Sequence, residues 1–597
     1  MIISPHRENH LLAIPTTLSG GNFGRLKTLP GFFKWQGRNV VFRITGENIK
    51  HILNNWPDAE WIGGCDEVRK DYLIRQDRGA EVVRAKADPA ITPDVGDYAF
   101  KRDPMDHQRR AFALSRDQEA FGLFMEQGTG KTKVTIDTAC HLYLKKKIDA
   151  MIVVAWPNGV HRNWVDYELP VDMSVPYQAE YWSGNYKAKF RQEAFAALLA
   201  TKDCLRVMTF NVEAFVAEGA QELMLKMLGQ WRCLLVIDQS ASIKNPQAKR
   251  TKFLIDKCST LAKFRRVLDG APVAEGADEL YSQFKFLDPM IIGHDTWTGF
   301  KAEFCEIGYF NEIKGYKNLD ELRRRIDGYS FRCLADDCLD LPERTYKEWP
   351  FDLGANERRV FDELNAENLA FFALEDSEKQ AKLNTGRAST MVEDEIESPD
   401  TGELCSEHLE EHLALVKNLR LQQISSGWWP GDDFKALEPD GPSRLKALLL
   451  LLEAARGKAL IFARVRADLE VLAQALGKAA VSYHGGVSEE DRATAKKKFM
   501  TDPKTLYFLG QPRSAGLGHT LTAARHVIFY SNDPSLRLRE ECEKRAHRKG
   551  LTHKLLVWDL KARHTQDHKI ITAFRWKKDL ANIIMQDPEN FFLKYEE

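Results

Sequence analysis

No CxxC pair occurs in this chain, and its ten cysteines are scattered. That spacing offers neither a zinc ribbon nor a disulfide framework, and the two nearest cysteines, Cys333 and Cys338, read as buried thiols in a reducing compartment. No apolar run approaches the length of a membrane span, and the opening MIISPHRENH lacks a signal-peptide pattern, so the expectation is a cytosolic protein. Charge of one sign is missing too. With 85 basic against 86 acidic side chains, the surface as a whole does not attract a polyanion, and any such partner must be met by a local groove. Short internal repeats are absent, which excludes solenoids.

What is present is length and alternation. At 597 residues the chain exceeds one core, so three or four domains are expected. Residues 1–85 read as a small α+β module, because KWQGRNVVFRI alternates like strands and TGENIKHILNNW has a Thr cap and helical spacing. The Pro/Asp-rich 86–99 reads as a linker. Over 100–289, the apolar segments FGLFM, AMIVVAW, LRVMTF, CLLVID and FRRVLDG alternate with helical patterns, the signature of a parallel sheet covered on both faces. Residues 290–440 read as a helical insertion carrying an acidic loop, ASTMVEDEIESPDTGE. A second series, ALIFAR, AVSYHGG, LYFLGQ, HVIFYS and LLVWDL, fills 441–565, and 566–597 reads as a helical brace. The fold class expected is α/β.

The sharpest chemistry lies in FGLFMEQGTGKT (121–132), a strand, a glycine turn and a helix start. Such a turn makes a phosphate cradle from Gly128, Thr129 and Gly130, with the helix dipole behind it. Lys131 is placed to reach β/γ-phosphates, and the Thr132 hydroxyl to sit on magnesium. Met125 stands where the full P-loop pattern has its first Gly. About a hundred residues on, Asp238 ends the apolar strand Leu234–Ile237, where a carboxylate suits a magnesium-holding acid. The histidines show no ligand spacing, so ATP and Mg2+ are the only cofactors expected.

These motifs, with others in the same order, resemble the Swi/Snf-like branch of superfamily 2, the DNA translocases related to chromatin remodellers. PMDHQ (104–108) resembles the glutamine motif, with Gln108 on the adenine. AWPNGVHRNWVDYE resembles motif Ia, VIDQSASIKNP the acid box, and LDGAPV motif III. RLQQISSG and SRLKALLLLLE lead into IFARVR, which resembles motif IV. GQPRSAGLGHTLTAA resembles motif V and adds Gly516 to the nucleotide set. EECEKRAHRKG resembles motif VI. The resemblance implies two RecA-like lobes that bind ATP, with Arg545 and Arg548, three apart and so on one helix face, as arginine fingers. It implies duplex or branched DNA, bound without sequence preference, at Arg162, Asn163, Asn211, Lys244, Arg464, Arg466 and Arg513.

The departures from that pattern are local. Asp269 and Ala271 replace the two Thr of motif III, Ala241 stands where many relatives have His, and Gln239 replaces the catalytic Glu. Gln keeps the shape of Glu but cannot take a proton. Asp238 and Gln239 are therefore expected in an enzyme that binds Mg-ATP and turns it over slowly, whether the Gln is natural or introduced. An ATP-responsive clamp and an RNA helicase are the alternatives. Trp428 and Trp429 read as core packing or as base-stacking groups, and His484 as structural. The segment FGRLKTLPGFFKWQGRNVVFRITGENIKHIL is similar to the HARP module of annealing helicases, or is an unrelated ββα clip. The compact second lobe suggests a prokaryotic or phage enzyme acting in the cytosol.

Overall fold

The computed structural model describes residues 2–7, 10–14, 32–36, 39–43, 46–88, 94–156, 160–184, 186–309, 312–372, 419–429, 435–515 and 521–585. The Lys27–Pro30 turn of the HARP-like segment, the acidic loop, Gly516 and the end of the C-terminal brace lie outside them. The chain divides into two compact units: Met1–Leu339 with Asp579–Glu597, and Asp340–Lys578.

In the first unit, β1 (Ile2–Arg7), β2 (His10–Ile14), β3 (Phe32–Gln36), β4 (Asn39–Arg43) and β5 (Glu60–Trp61) form a five-stranded sheet in the order β3-β4-β2-β1-β5. The helices Gly46–Asn55 and Cys65–Ala87 flank β5 along the chain. The strand pair and first helix lie where the sequence pattern puts them. The module does not stand apart from the rest of its unit, however. Gly79 on the long helix lets Gly328 approach so closely that a Cβ on Gly328 would lie 2.7 Å from the Gly79 Cα. The Tyr329 hydroxyl donates to the Arg75 carbonyl at 3.0 Å, and Arg75 pairs with Asp288. The long helix thus packs directly on Asp288, Gly328 and Tyr329 of the same unit, which is why 1–85 belongs to it.

The main sheet of this unit contains β6 (Ala120–Met125), β7 (Ala150–Ala155), β8 (Tyr177–Tyr181), β9 (Leu205–Asn211), β10 (Cys233–Asp238), β11 (Phe264–Leu268) and β14 (Ser330–Cys333). A hairpin of β12 (Cys305–Ile307) and β13 (Ile313–Tyr316) precedes β14. The order is β14-β6-β11-β10-β7-β9-β8, and every pairing is parallel. The strands β6, β7 and β10 are buried at every position, as continuous apolar runs between two helical layers require. The expectation of a helical insertion over 290–440 is incomplete here. β12, β13 and β14 all fall inside it, and β14 joins the sheet by pairing along the otherwise open edge of β6.

The second unit begins with β15 (Arg344–Phe351), also inside the expected insertion. It continues with β16 (Ala459–Phe462), β17 (Ala480–Tyr483), β18 (Tyr507–Gly510), β19 (His526–Phe529) and β20 (Leu555–Ala562), ordered β15-β20-β19-β16-β18-β17 and all parallel. Two parallel α/β lobes are thus present. Arg444, 1% exposed, sits under this sheet. Its guanidinium donates to the carbonyls of Ser425 (3.0 Å), Tyr530 (2.6 Å) and Leu560 (3.2 Å), and to the Asp567 carboxylate at 2.6 Å. Asp567 also accepts from the Ala562 amide, so one buried cation ties the C-terminal helix Gln566–Met585 to the strand ends. Trp428 is buried and donates to Asp468 at 2.6 Å, while Trp429 is 48% exposed. Only Trp428 is core. His484 is buried, its Nδ1 accepting from the Gly486 amide at 3.2 Å.

Removing one member of a buried ion pair leaves the other charge uncompensated. Arg444→Leu is therefore expected to cost about 3–5 kcal/mol. Urea unfolding followed by tryptophan fluorescence checks this, and a change under about 1 kcal/mol, the worth of an exposed pair, would show the network to be dispensable.

Candidate nucleotide-binding site

The loop after β6 turns on two glycines, Gly128 at φ 89° and Gly130 at φ 93°, a region L side chains rarely adopt. Gly130 is constrained twice, because a Cβ there would lie 2.2 Å from the Gln108 Nε2. That amide backs the loop: Gln108 Nε2 donates to the Thr129 carbonyl at 2.9 Å, and its Oε1 accepts from the Met105 amide at 3.1 Å. Gln108 is thus spent on the loop and its own helix cap, a role that its motif does not announce. His107 Nε2 donates to the same carbonyl at 2.8 Å. Thr129 is fully buried, its hydroxyl donating to the Glu126 carbonyl at 2.7 Å. The helix Lys131–Leu144 starts at this loop, so its first amides and dipole face the concavity. The Lys131 ammonium lies over the mouth of the strand, donating to the Met125 carbonyl at 2.7 Å.

Sheet order brings the acid box beside this loop. Asp238 ends β10 and pairs with Leu268 of β11, which pairs with Leu123 of β6. Asp238 is 9% exposed and its Oδ2 accepts from the Trp164 Nε1 at 2.9 Å. Burial pushes its carboxyl above the usual range, opposed by Trp164 and by the charge of Lys131. Trp164, itself 2% exposed, was missed as a functional residue, although the Trp of the motif Ia signature marks it. Gln239 comes next, in the left-handed region at φ 58°, a strained conformation for a residue with a side chain. It is half-buried, and among the described residues its side-chain amide has no protein partner.

Asp269 holds that strain in place. Its Oδ2 accepts from the Ala241 amide at 2.9 Å and its Oδ1 from the Ala271 amide at 3.0 Å. The Ser240 hydroxyl donates to the Gln283 Oε1 at 2.5 Å, and Gln283 Nε2 donates to the Pro272 carbonyl at 2.8 Å. From the sequence, Asp269 and Ala241 are two losses. In the fold they are one contact: a carboxylate binds the backbone of the acid box where a hydroxyl and a ring are absent. Behind the helix, buried Lys133 pairs with Asp137 at 3.0 Å and Asp172 at 3.5 Å. Burial nevertheless pushes the Asp137 carboxyl up to about 6.

The donor set fits a hard divalent cation. Asp238 offers a carboxylate that burial disfavours as an anion, and the Thr132 hydroxyl has no protein partner among the described residues. Two protein oxygens, with the rest from phosphate and water, is the usual magnesium arrangement.

The other expected site residues are spread over both units. Arg545 is fully buried in the helix Leu536–Ala546, and burial lowers its guanidinium to about 10. Arg548 is not on that helix face. The helix ends at Ala546, His547 Nε2 donates to the Pro342 carbonyl at 2.9 Å, and Gly550 turns the chain at φ 100°. Among the expected nucleic-acid residues, Arg162 and Asn163 are exposed, the former with its guanidinium 4.9 Å from the centre of the Tyr181 ring, and Asn211 ends β9. Lys244 donates to Glu279 at 2.6 Å. Arg464 and Arg513 both lie 3.9 Å from the Asp533 carboxylate, and Arg466 pairs with Glu470 at 3.3 Å.

Because two backbone amides end on Asp269, Asp269→Ala is expected to release Gln239 from its left-handed turn. Turnover should fall at least fivefold with nucleotide affinity changed less than twofold, and Asp269→Asn should recover part of the rate. Steady-state kinetics beside a fluorescent-nucleotide titration reads the split, and equal losses in both would make Asp269 a general structural group.

Family models agree with this arrangement. One described as SNF2-related domain matches residues 107–400, and one described as helicase conserved C-terminal domain matches 442–550. The ATP-dependent helicase brm of Drosophila melanogaster is 23% identical over 77% of this chain and 28% of its own length. Helicase SWR1 of Yarrowia lipolytica is 36% identical over 24% of this chain and 8% of its own length. The chain therefore spans under a third of either relative. Among solved structures, the Sulfolobus solfataricus SWI2/SNF2 ATPase core in complex with dsDNA is 19% identical, with a TM-score of 0.36 over 81% of this chain and 93% of that one. Among the described residues, no helix is long and apolar enough to cross a membrane. With both domains matched in order and the glycine loop, acid box and motif III side by side on one sheet edge, this chain belongs to the Swi/Snf-like branch of superfamily 2.

Proposed function

We propose that this chain is a DNA-dependent ATPase that moves along or remodels duplex or branched DNA, with hydrolysis slowed by Gln239. The observation that carries the reading is that the Gly128–Gly130 loop and Lys131 follow β6 while Asp238 ends β10 at the same level, with only β11 between them. In this reading the loop amides and Lys131 hold the triphosphate, and Thr132 and Asp238 hold magnesium, which supplies charge neutralisation at the phosphates. Gln239 orients a water by its amide but takes no proton. Arg545 and Arg548 are assigned to the transition-state charge and Gly516 to the nucleotide. The relatives carry helicase in their names, and we extend a nucleic-acid-driven activity from them to this chain.

Arg162, Asn163, Asn211, Lys244, Arg464, Arg466 and Arg513 are assigned to the DNA backbone. Several are ion-paired at or near the surface, where a pair is worth about 0–1 kcal/mol. A phosphate can replace such a partner. Binding of this kind gives affinity without sequence preference. A second reading, an ATP-responsive clamp that hydrolyses little, is favoured by the uncharged Gln239.

Two measurements test these readings. ATPase rate with duplex, forked and single-stranded DNA and with RNA should rise most with duplex or fork. Log K against log salt should then slope by about −0.9 per phosphate contacted on duplex DNA; stimulation by RNA alone would reject the assignment. With duplex present, Gln239→Glu should raise turnover at least tenfold at nearly unchanged ATP affinity, because a general base contributes about 10²–10⁴. No rise would mean that Gln239 is not what limits hydrolysis.

A further inference from the structure

The fold gathers three soft-ligand side chains that are far apart in sequence. Cys333 ends β14 and Cys338 ends the single helical turn Ala335–Cys338. Their sulfurs lie 2.9 Å apart, and His107, from the helix Asp106–Ser115, closes the group. A ring nitrogen of His107 and both sulfurs lie within 4.8 Å of one another.

The histidine is set in the form a metal needs. Its Nε2 is bonded to the Thr129 carbonyl at 2.8 Å. A carbonyl can only accept, so Nε2 donates, and in the neutral imidazole this leaves the lone pair on Nδ1. Donating the second ring N–H to a backbone carbonyl is how metal-ligating histidines are held. The two sulfurs, 2.9 Å apart, are soft donors of the kind a thiophilic cation selects. Cys333 is 8% exposed, while His107 and Cys338 are half-buried, so an ion has a route in.

We propose that His107, Cys333 and Cys338 form a binding site for a thiophilic divalent cation of the zinc type, with an open fourth position for water. Binding displaces two thiol protons to solvent and forms two metal–thiolate bonds and one metal–imidazole bond, with no change of oxidation state. Ideal Zn–S bonds of about 2.3 Å at a tetrahedral angle set the sulfurs roughly 3.8 Å apart. The pair must therefore open by a little under about 1 Å, and Cys338, on a single turn, is the side that gives. The site is wired to the phosphate loop. His107 meets Thr129, the Cys333 carbonyl accepts from the Glu126 amide at 2.8 Å, and the Glu126 carboxylate accepts from the Ala335 amide at 2.7 Å. An ion here would brace the nucleotide loop, at a position separate from the Asp238 magnesium site.

The test uses the tag-free full chain under a phosphine reductant. Zn(II) is titrated in competition with a chromophoric chelator, and Co(II) is added separately to look for sulfur-to-metal charge-transfer absorption. One equivalent of tightly bound Zn(II) and a thiolate–Co(II) band are expected. Cys338→Ser and Cys333→Ser should each weaken Zn(II) at least tenfold while circular dichroism and thermal midpoint show both variants folded. His107→Gln, which keeps a donor for Thr129, should weaken it likewise. The proposal is overturned if no zinc binds tightly, if all three variants bind as the parent does, or if mass spectrometry of the untreated protein finds Cys333 and Cys338 joined as a disulfide.

Discussion

In-register parallel pairing of β6, β11 and β10 is the constraint on which the rest of this molecule depends. It sets Leu123, Leu268 and Asp238 at one level. Parallel strands all leave a sheet by the same edge, so the loops after these three strands must emerge side by side. This packs motif III against the chain entering the glycine loop at Gln127 and puts it within hydrogen-bonding distance of the acid box. The strands can be buried on both faces because the ladder satisfies their backbone groups, which leaves the strand ends as the place where polar chemistry collects.

At that edge four residues act as a group. Gln239, Ala241, Asp269 and Ala271 are not independent changes. Asp269 binds the amides of both Ala241 and Ala271, and the turn it fixes contains Gln239. A carboxylate accepting two buried amides is a stronger tie than a hydroxyl. The contact between the acid box and motif III is thus made by one carboxylate on two backbone amides.

Buried arginines play the same part elsewhere. Arg266, fully buried, donates to the carbonyls of Ser115, Gln118 and Arg265 and so anchors the segment leading into β6. Arg444 does this for the second unit. In both, a fixed fork of donors collects several backbone carbonyls at once, tying turns to the adjoining strands.

Alternating apolar segments, the glycine loop and the apolar run ending in Asp238 determined two parallel α/β lobes and a glycine-turned loop after β6 from the sequence alone, because burial on two faces and positive φ leave direct marks on composition. The reading of 290–440 as helical differs from the fold because β14 has only four residues and β15 is rich in charge, so the sheet edges they pair with are what identify them as strands. Arg548 left its helix for a like reason: a cap is decided by what His547 meets, not by spacing. The roles of Trp164, Asp269 and Gln108 needed the fold, since each acts on a backbone or carboxylate distant in sequence. So did the meeting of His107 with Cys333 and Cys338. Ligand spacing along a chain records only local geometry, whereas these three side chains come together because β14 lies against β6 and the helix before it.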